Sequence, residues 1–334
     1  MNRKLTYAIA LFIALILFVP AAARAQEQGY PFRLSNFHLE FTGGWVAISP
    51  DDLNRTVDYE NSYLTHYYLN RYAYYDNLYG DAYSARNVFS GGQEFESLQS
   101  VTPLGAAIRY QASPTFSLSL GVQYIRGVKS SDVDLDVMID DASAGASTAQ
   151  YRNDGLTVSV KSWMPYLSAN FGWDLFKFLR TEIFVMGGPI IGDLRAWDQR
   201  FESVVTEEGT VSSGSRTMEI TGHSTSVAVE IGGQVRIKLL PFVEIFGQAG
   251  YAFRQLNQIQ GLQSIQTLSE LPTASESLYS LSGTWGVNWE RPSSAWGSSS
   301  LPLLTTNFAN GTRTTVANVD LSGFQVTAGL SIRL

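Results

Sequence analysis

Eight stretches of this chain alternate apolar and polar side chains with a period of two. No window beyond residue 25 holds the eighteen or so consecutive apolar residues that a membrane-spanning helix needs. A period of two sends alternate side chains to opposite faces of a β-strand. In 36–48, Phe37, Leu39, Phe41 and Trp45 share one face, and His38, Glu40 and Thr42 the other. In 104–111, Leu104, Ala106, Ile108 and Tyr110 oppose Gly105, Ala107, Arg109 and Gln111. The stretch 115–126 sets Phe116, Leu118, Leu120, Val122 and Tyr124 against Ser117, Ser119, Gly121 and Gln123. The stretch 161–173 sets Trp163, Pro165, Leu167, Ala169, Phe171 and Trp173 against Ser162, Met164, Tyr166, Ser168 and Asn170.

The second half repeats the pattern. Ile183, Val185 and Ile191 oppose Glu182 in 181–192, and Val227, Val229, Ile231, Val235 and Ile237 oppose Ser226, Glu230, Gln234, Arg236 and Lys238 in 224–238. Val243, Ile245, Ala249, Tyr251 and Phe253 oppose Glu244, Gln248 and Arg254 in 242–254. Phe324, Val326, Ala328, Leu330, Ile332 and Leu334 oppose Gln325, Thr327, Ser331 and Arg333 in 321–334. The strands are joined alternately by short turns (112–114, 174–180, 239–241) and long connections (49–103, 127–160, 193–223, 255–320). Strands of about ten residues with short turns at one end and long loops at the other predict an all-β, antiparallel, up-and-down transmembrane β-barrel. Eight strands put both termini on the periplasmic side and the four long loops outside. Tyr279, Leu281, Gly283, Trp285, Val287 and Trp289 also alternate; an extra strand there would make ten, and the expectation is a hairpin arm above the membrane.

Export fits the N-terminus. Asn2-Arg3-Lys4 is followed by an apolar run from Leu5 to Val19, a Pro20 break and Ala23-Arg24-Ala25, the small-x-small pattern of a cleavage site. Residues 1–25 are therefore expected to be a cleaved signal peptide and 26–334 the barrel domain. Loss of Arg3, Lys4 and Arg24 from 23 basic residues leaves 20 against 30 acidic ones, which argues against nucleic acid as a partner. There is no cysteine, and a closed sheet needs no disulfide because it has no open edge. Hydropathy near zero is also what a barrel shows, since alternation hides the membrane signal.

An eight-stranded barrel is just wide enough inside for side chains to fill it. The inward positions carry Glu40, Glu182, Glu230 and Glu244 against Arg109, Arg236, Lys238, Arg254 and Arg333. An unpaired charge in such a space is costly, so a lumen of mutual ion pairs is expected, with a narrow charged pore as the alternative. Trp45, Tyr124, Trp163, Tyr251 and Phe253 fall toward the loop ends and Phe116, Phe171, Trp173 and Phe242 toward the turn ends, as two aromatic girdles would.

In architecture, residues 34–334 resemble the small OmpA-like and OmpX-like outer-membrane barrels. At sequence level the resemblance is carried by Thr327-Ala328-Gly329-Leu330-Ser331-Ile332-Arg333-Leu334, which is similar to the C-terminal β-signal of such proteins. The resemblance implies that Thr327, Gly329, Ile332 and Leu334 form the signal read by the barrel-assembly machinery; Leu334 stands where an aromatic residue is usual. It also implies an outer-membrane location in a double-membraned bacterium, with membrane lipids, lipopolysaccharide and periplasmic chaperones as partners.

The loops carry candidate chemistry. Tyr59, Tyr63 and Tyr67, with Asp51 as a possible N-cap, have the spacing of a short amphipathic helix that packs on its own loop or binds an extracellular ligand. Asp132, Asp134, Asp136, Asp140 and Asp141 could bridge calcium, but they lack the glycine and terminal glutamate of an EF-hand loop, and an exposed hairpin face is expected. The histidines are His38, His66 and His223. His223-Ser224-Thr225 has Thr where barrel lipid deacylases place Ser, with no acid partner evident, and Asp140-Asp141 has no histidine nearby to make an omptin-like site. No phosphate loop, dinucleotide fingerprint or metal-spaced cluster occurs, so no cofactor or metal is expected. The expected function is non-enzymatic: a barrel that anchors surface loops for envelope support or adhesion, with a narrow porin-like channel as the alternative and a lipid-modifying or proteolytic enzyme as the third.

Overall fold

In the computed structural model the described residues are 36–50, 53–54, 57–58, 61, 83–91, 94–141, 146–206, 209–271, 274–284, 286–288 and 314–334. The expected leader and cleavage site lie outside them, as do Asp51, Tyr59, Tyr63 and Tyr67. The described chain is almost entirely strand: β1 (Phe37–Ala47), β2 (Tyr83–Gly91), β3 (Ser100–Ser113), β4 (Phe116–Asp141), β5 (Ala146–Phe176), β6 (Leu179–Thr206), β7 (Gly209–Leu240), β8 (Val243–Asn257), β9 (Gln260–Leu271), β10 (Ser275–Thr284), β11 (Gly286–Asn288), β12 (Thr314–Val316), β13 (Asn318–Asp320) and β14 (Gly323–Arg333).

Eight of these strands pair antiparallel in a closed circuit. The order is β1, β3, β4, β5, β6, β7, β8, β14 and back to β1. The seam joins the two ends of the chain: Phe41 lies opposite Leu330, and Trp45 opposite Val326. Closure leaves none of the eight with an unpaired edge in the ring, so backbone N–H and C=O groups are satisfied without water.

The strands run further than the alternation suggested. Residues 127–160 and 193–223 were expected to be loops. Instead β4 and β5 stay paired from Phe116↔Phe171 to Asp141↔Ala146, and β6 and β7 from Leu179↔Ile237 to Thr206↔Gly209. The connection 49–103 adds β2 against the far end of β4, and β9 lies along the far half of β7 with β10 beside it. A tall sheet therefore rises from one end of the ring. The alternating stretch from Tyr279 enters β10, which joins that sheet and not the ring.

The apolar face changes sides along these strands. In the ring half of β4, Leu120 and Val122 point out and are exposed while Ser117, Ser119 and Gln123 point in and are buried. Beyond residue 125, Arg126, Ser130 and Asp132 take the outward positions, and Ile125 and Val133 are buried inside. The same reversal occurs on β5, where outward Trp163 and Leu167 give way to Lys161 and Asn153, and inward Ser168 and Asn170 give way to Val160, Val158 and Leu156. On β6, outward Ile183 and Ile191 give way to Asp193 and Arg195, with Leu194 and Ala196 inside. Scattered apolar side chains such as Val128, Tyr151 and Phe201 remain exposed on the extension.

Behind the extension lies an ordinary hydrophobic core. Ile125, Val133, Leu156, Val158, Leu194, Met218 and Ile220 pack there with Leu53, Val57, Phe95 and Leu98 from the first connection, and with Val319 and Leu321 from the last. Two asparagines fasten the first connection across itself. Asn54 Nδ2 donates to Leu98 O at 3.0 Å and its Oδ1 accepts from Leu98 N at 2.9 Å. Asn61 makes the same two-point contact with Phe95, at 3.0 and 2.7 Å. Each side chain thereby mimics a strand partner for backbone that would otherwise be buried unpaired.

The β5–β6 ladder is interrupted between Trp163↔Ile191 and Leu167↔Gly187, and shifts register at Asp174/Phe176 beside the turn. Pro165 and Pro189 face one another inside the interruption. Proline has no N–H to give, and placing two opposite each other confines the missing donors to one site. Gly188 lets the backbones close up there, since a Cβ would fall 1.9 Å from Pro165 O.

Candidate functional site

The ring interior holds the chemistry. Near the short turns, three arginines and three glutamates interlock. Arg109 donates from both terminal nitrogens to Glu182, at 2.8 and 2.5 Å. Arg180 Nε reaches the same carboxylate at 2.5 Å, and Arg236 Nε at 3.1 Å. Arg236 also donates to Glu40 and, at 3.4 Å, to Glu244. Its guanidinium lies 4.6 Å from the centre of the Phe246 ring, an additional contact for a buried cation. Glu182 thus accepts from three cations, and every ring strand that contributes sends its charge inward by the parity that sends its neighbours outward.

A second layer lies above the first. Arg254 Nη2 donates to Glu230 at 2.9 Å, Gln123 at 2.8 Å and Gln325 at 2.7 Å, which ties β4, β7, β8 and β14 together. Between the layers, Asn170 donates to Ser119 Oγ at 3.3 Å, and Thr327 donates to Gln248 at 2.8 Å. Phe184, Met186 and Phe246 fill the remaining space and are buried. Leu256, two positions beyond Arg254 on the same face of β8, is fully buried in the hydrophobic core. Each buried guanidinium here meets an opposite charge, but Arg109 Nε, Arg180 Nη2 and both Nε and Nη1 of Arg254 are buried with no hydrogen-bond partner among the described residues, so the network is only partly satisfied.

Of the charges expected inside, Glu40, Arg109, Glu182, Glu230, Arg236, Glu244 and Arg254 are brought together. Lys238 and Arg333 are exposed instead, because both sit in the last pair of positions at the turn end, where inward parity opens on solvent. Arg180 joins the network although it falls in the stretch expected to be a turn; its inward parity with Glu182 was the available signal. Around the outside, Trp45, Trp163, Phe171, Trp173, Phe242, Tyr251 and Phe253 are exposed, and Tyr124 is half-exposed against Trp163 at 4.6 Å between ring centres. Phe116 is the exception. It is 6% exposed, folded against Phe171 at 5.0 Å, and so presents little surface to its surroundings.

The C-terminal segment is built into the seam. Thr327 points in and Ile332 is half-buried opposite Leu39 and Val243. Leu334 is exposed, its N–H donating to Phe37 O at 2.9 Å. At Gly329 a Cβ would fall 2.4 Å from the Phe246 ring and 2.5 Å from Phe41 O.

Where the apolar face reverses, one register row of outward side chains runs Arg126, Lys161, Asp193, His223, Gln260 across β4, β5, β6, β7 and β9. His223 has an acid partner after all: Nδ1 lies 2.8 Å from Asp193 Oδ1. Both side chains are more than half exposed, and Ser224 turns inward to donate to Asn257 O at 2.7 Å. Among the described contacts no hydroxyl is bonded to His223.

High in the extension, Arg152 and Arg200 both bond Asp154, Arg200 Nε at 3.1 Å. Asp198 lies beside them. Burial pushes its carboxyl above the ordinary range, a tendency opposed by Arg200 and reinforced by Asp154. Asp132 and Asp134 face outward, while the side chains of Asp136, Asp140 and Asp141 lie outside the described residues. Among the described residues no group of three His, Cys, Asp or Glu side chains is placed to hold a metal ion.

No family model and no curated protein matches the chain. Among solved structures, it is similar to a major outer membrane protein from Thermus thermophilus, at 10% identity and a TM-score of 0.30, over 89% of this chain and 99% of that one. At that identity and score the likeness assigns neither fold nor activity to this chain.

Proposed function

We propose that this chain is an outer-membrane β-barrel of eight membrane-spanning strands with a closed interior, which anchors a tall extracellular sheet for envelope support or surface binding. The observation that carries this reading is the reversal of the apolar face along continuous strands. Below Arg126 and Lys161 the exposed outer surface is Leu, Val, Ile, Phe and Trp while paired charges are buried. A surface of that kind is stable against hydrocarbon and unfavourable against water. Above the row the order becomes that of a water-soluble sheet, with the core inside. The lower band is the part in the membrane and the upper part stands in water.

The interior supports anchoring over transport. Six charges interlock at one level and an arginine with its partners spans the next, and a cluster of buried apolar side chains lies beyond both. A solute would have to break several desolvated ion pairs, each costly to open. Planar-bilayer recording of the purified protein tests this: silent membranes are expected, and stable single-channel steps would establish the pore instead. Heat-modifiable migration of the folded protein on gels is expected for the barrel. The non-enzymatic assignment predicts unchanged lipid A mass spectra whether His223 is present or replaced by alanine.

A further inference from the structure

We infer that Arg126 and Lys161 form a binding site for the phosphate of an outer-leaflet lipid headgroup. The inference rests on the membrane placement proposed above. The two residues lie directly opposite each other on β4 and β5, and both are exposed on the outer surface. Like charges directly opposite in a sheet repel and weaken the pairing. Nearby on the outer surface, Asp193 lies 2.8 Å from His223 Nδ1 and Arg195 Nε 2.8 Å from Glu219. Arg126 and Lys161 have no acidic partner among the described residues, and Asp193, the nearest acid to Lys161 in register, is engaged on its other side by His223. The pair therefore presents two positive charges, faced in register by the single carboxylate of Asp193 beside Lys161.

Its position identifies the anion. One register step into the belt lies the Tyr124–Trp163 contact, and below that Val122 opposite Pro165 and Leu120 opposite Leu167. Aromatic side chains of this kind sit at headgroup level, where an amphipathic ring meets both hydrocarbon and water. Two cations immediately above an aromatic pair and an apolar column match a lipid that carries its phosphate at the head and acyl chains beneath. The guanidinium of Arg126 can take two phosphate oxygens at once, and Lys161 supplies a point charge to the same group. A phosphorylated sugar lipid of the lipid A class has this layout.

Reconstituted mature protein tests the site, with the lipid retained after extraction into mild detergent counted by native mass spectrometry. The probes are diphosphoryl lipid A, its dephosphorylated form and inorganic phosphate. Each cation near an anionic surface changes binding roughly fivefold, so R126Q/K161Q is expected to retain diphosphoryl lipid A roughly 25-fold less well than the parent. K238Q, at the other end of the barrel, is expected to match the parent. Retention that is equal in R126Q/K161Q, or equal for the dephosphorylated lipid, would overturn the proposal, and so would phosphate competing at millimolar concentration for a site that ignores the acyl chains. Co-flotation with phosphatidylcholine vesicles separates this from the larger reading: a protein that floats but does not discriminate phosphate loses only the lipid site, whereas one that fails to float loses the membrane placement too. The heat-modifiable band of the double variant shows that it is folded.

Discussion

Arg109 on β3 and Glu182 on β6 clasp each other across the ring interior through two hydrogen bonds, 2.8 and 2.5 Å long, although two strands separate them around the wall. Glu182 also takes Arg180 and Arg236, so one carboxylate touches three guanidinium groups, while Glu40 and Glu244 supply the other two negative charges. E182Q leaves those cations buried with less than their share of negative charge. Removal of one partner from a buried ionic cluster costs about 3–5 kcal/mol. Urea unfolding of the reconstituted protein, followed by tryptophan fluorescence, is expected to show a loss of that size. A midpoint unchanged from the parent would mean that water already solvates the network.

The first connection is held by paired amide contacts, and cutting them should free it without opening the ring. N54A/N61A removes both partners from the backbone of Leu98 and Phe95. A buried backbone group left unpaired costs about 1–3 kcal/mol. Faster proteolysis between residues 50 and 100 is expected, with the heat-modifiable band retained. Equal cleavage rates in parent and variant would show that the core residues alone hold the segment.

Acidity should favour the upper sheet. Asp198 is held above the usual aspartate range by burial, so the folded chain binds its proton more tightly than the unfolded chain does. Between the ordinary value, about 3.9, and the raised one, stability therefore falls as pH rises. Above the raised value the full cost of the buried charge is present. D198N stays neutral throughout and is expected to flatten this slope, measured as protease resistance of the extension from acidic to neutral pH. A slope that survives in D198N would assign the titration to another group.

Gly329 tests closure against recognition. An added methyl would meet the Phe246 ring and Phe41 O, so G329A strains the seam between β1, β14 and β8. Overpacking of this kind costs about 1–3 kcal/mol. A lower melting point is expected from refolded G329A even in the absence of any assembly machinery. If refolded G329A is as stable as the parent while its assembly in cells is slow, the glycine acts only through the signal.

The strands of the ring were legible because apolar side chains outside and polar or charged ones inside give strong contrast at every second residue. Leu120 beside Ser119 or Ile183 beside Glu182 cannot be misread. The extension was not legible for the same reason. Beyond Arg126 the inward residues become Val133 and the outward ones Asp132 and Asp134, so a search for apolar-out alternation ends where the pattern changes sides. Asp132, Val133, Asp134 and Leu135 were alternating in plain view, and the reversal itself marks the rim. The interior charges followed from parity in the middle of the strands and failed at the ends, where Lys238 and Arg333 escape to solvent. Arg180 was missed because a seven-residue connection was assumed where Leu179 already begins a strand. The His223–Asp193 pair depends on β6–β7 register beyond the ring, which no local pattern reveals.

The extension also separates two demands on the sequence. From Arg126 to Asp141, β4 continues for fifteen residues, about 50 Å of contour at ~3.3 Å each. Tilted as barrel strands are, by about 40°, the paired residues Asp141 and Ala146 still stand farther from the rim than a hydrocarbon layer is thick. On the membrane placement proposed above, a large particle would meet the far ends of these strands long before it neared the lipid. Substitutions there leave the seam and the interior clasp untouched, so the far end of the sheet can change in sequence without disturbing the ring.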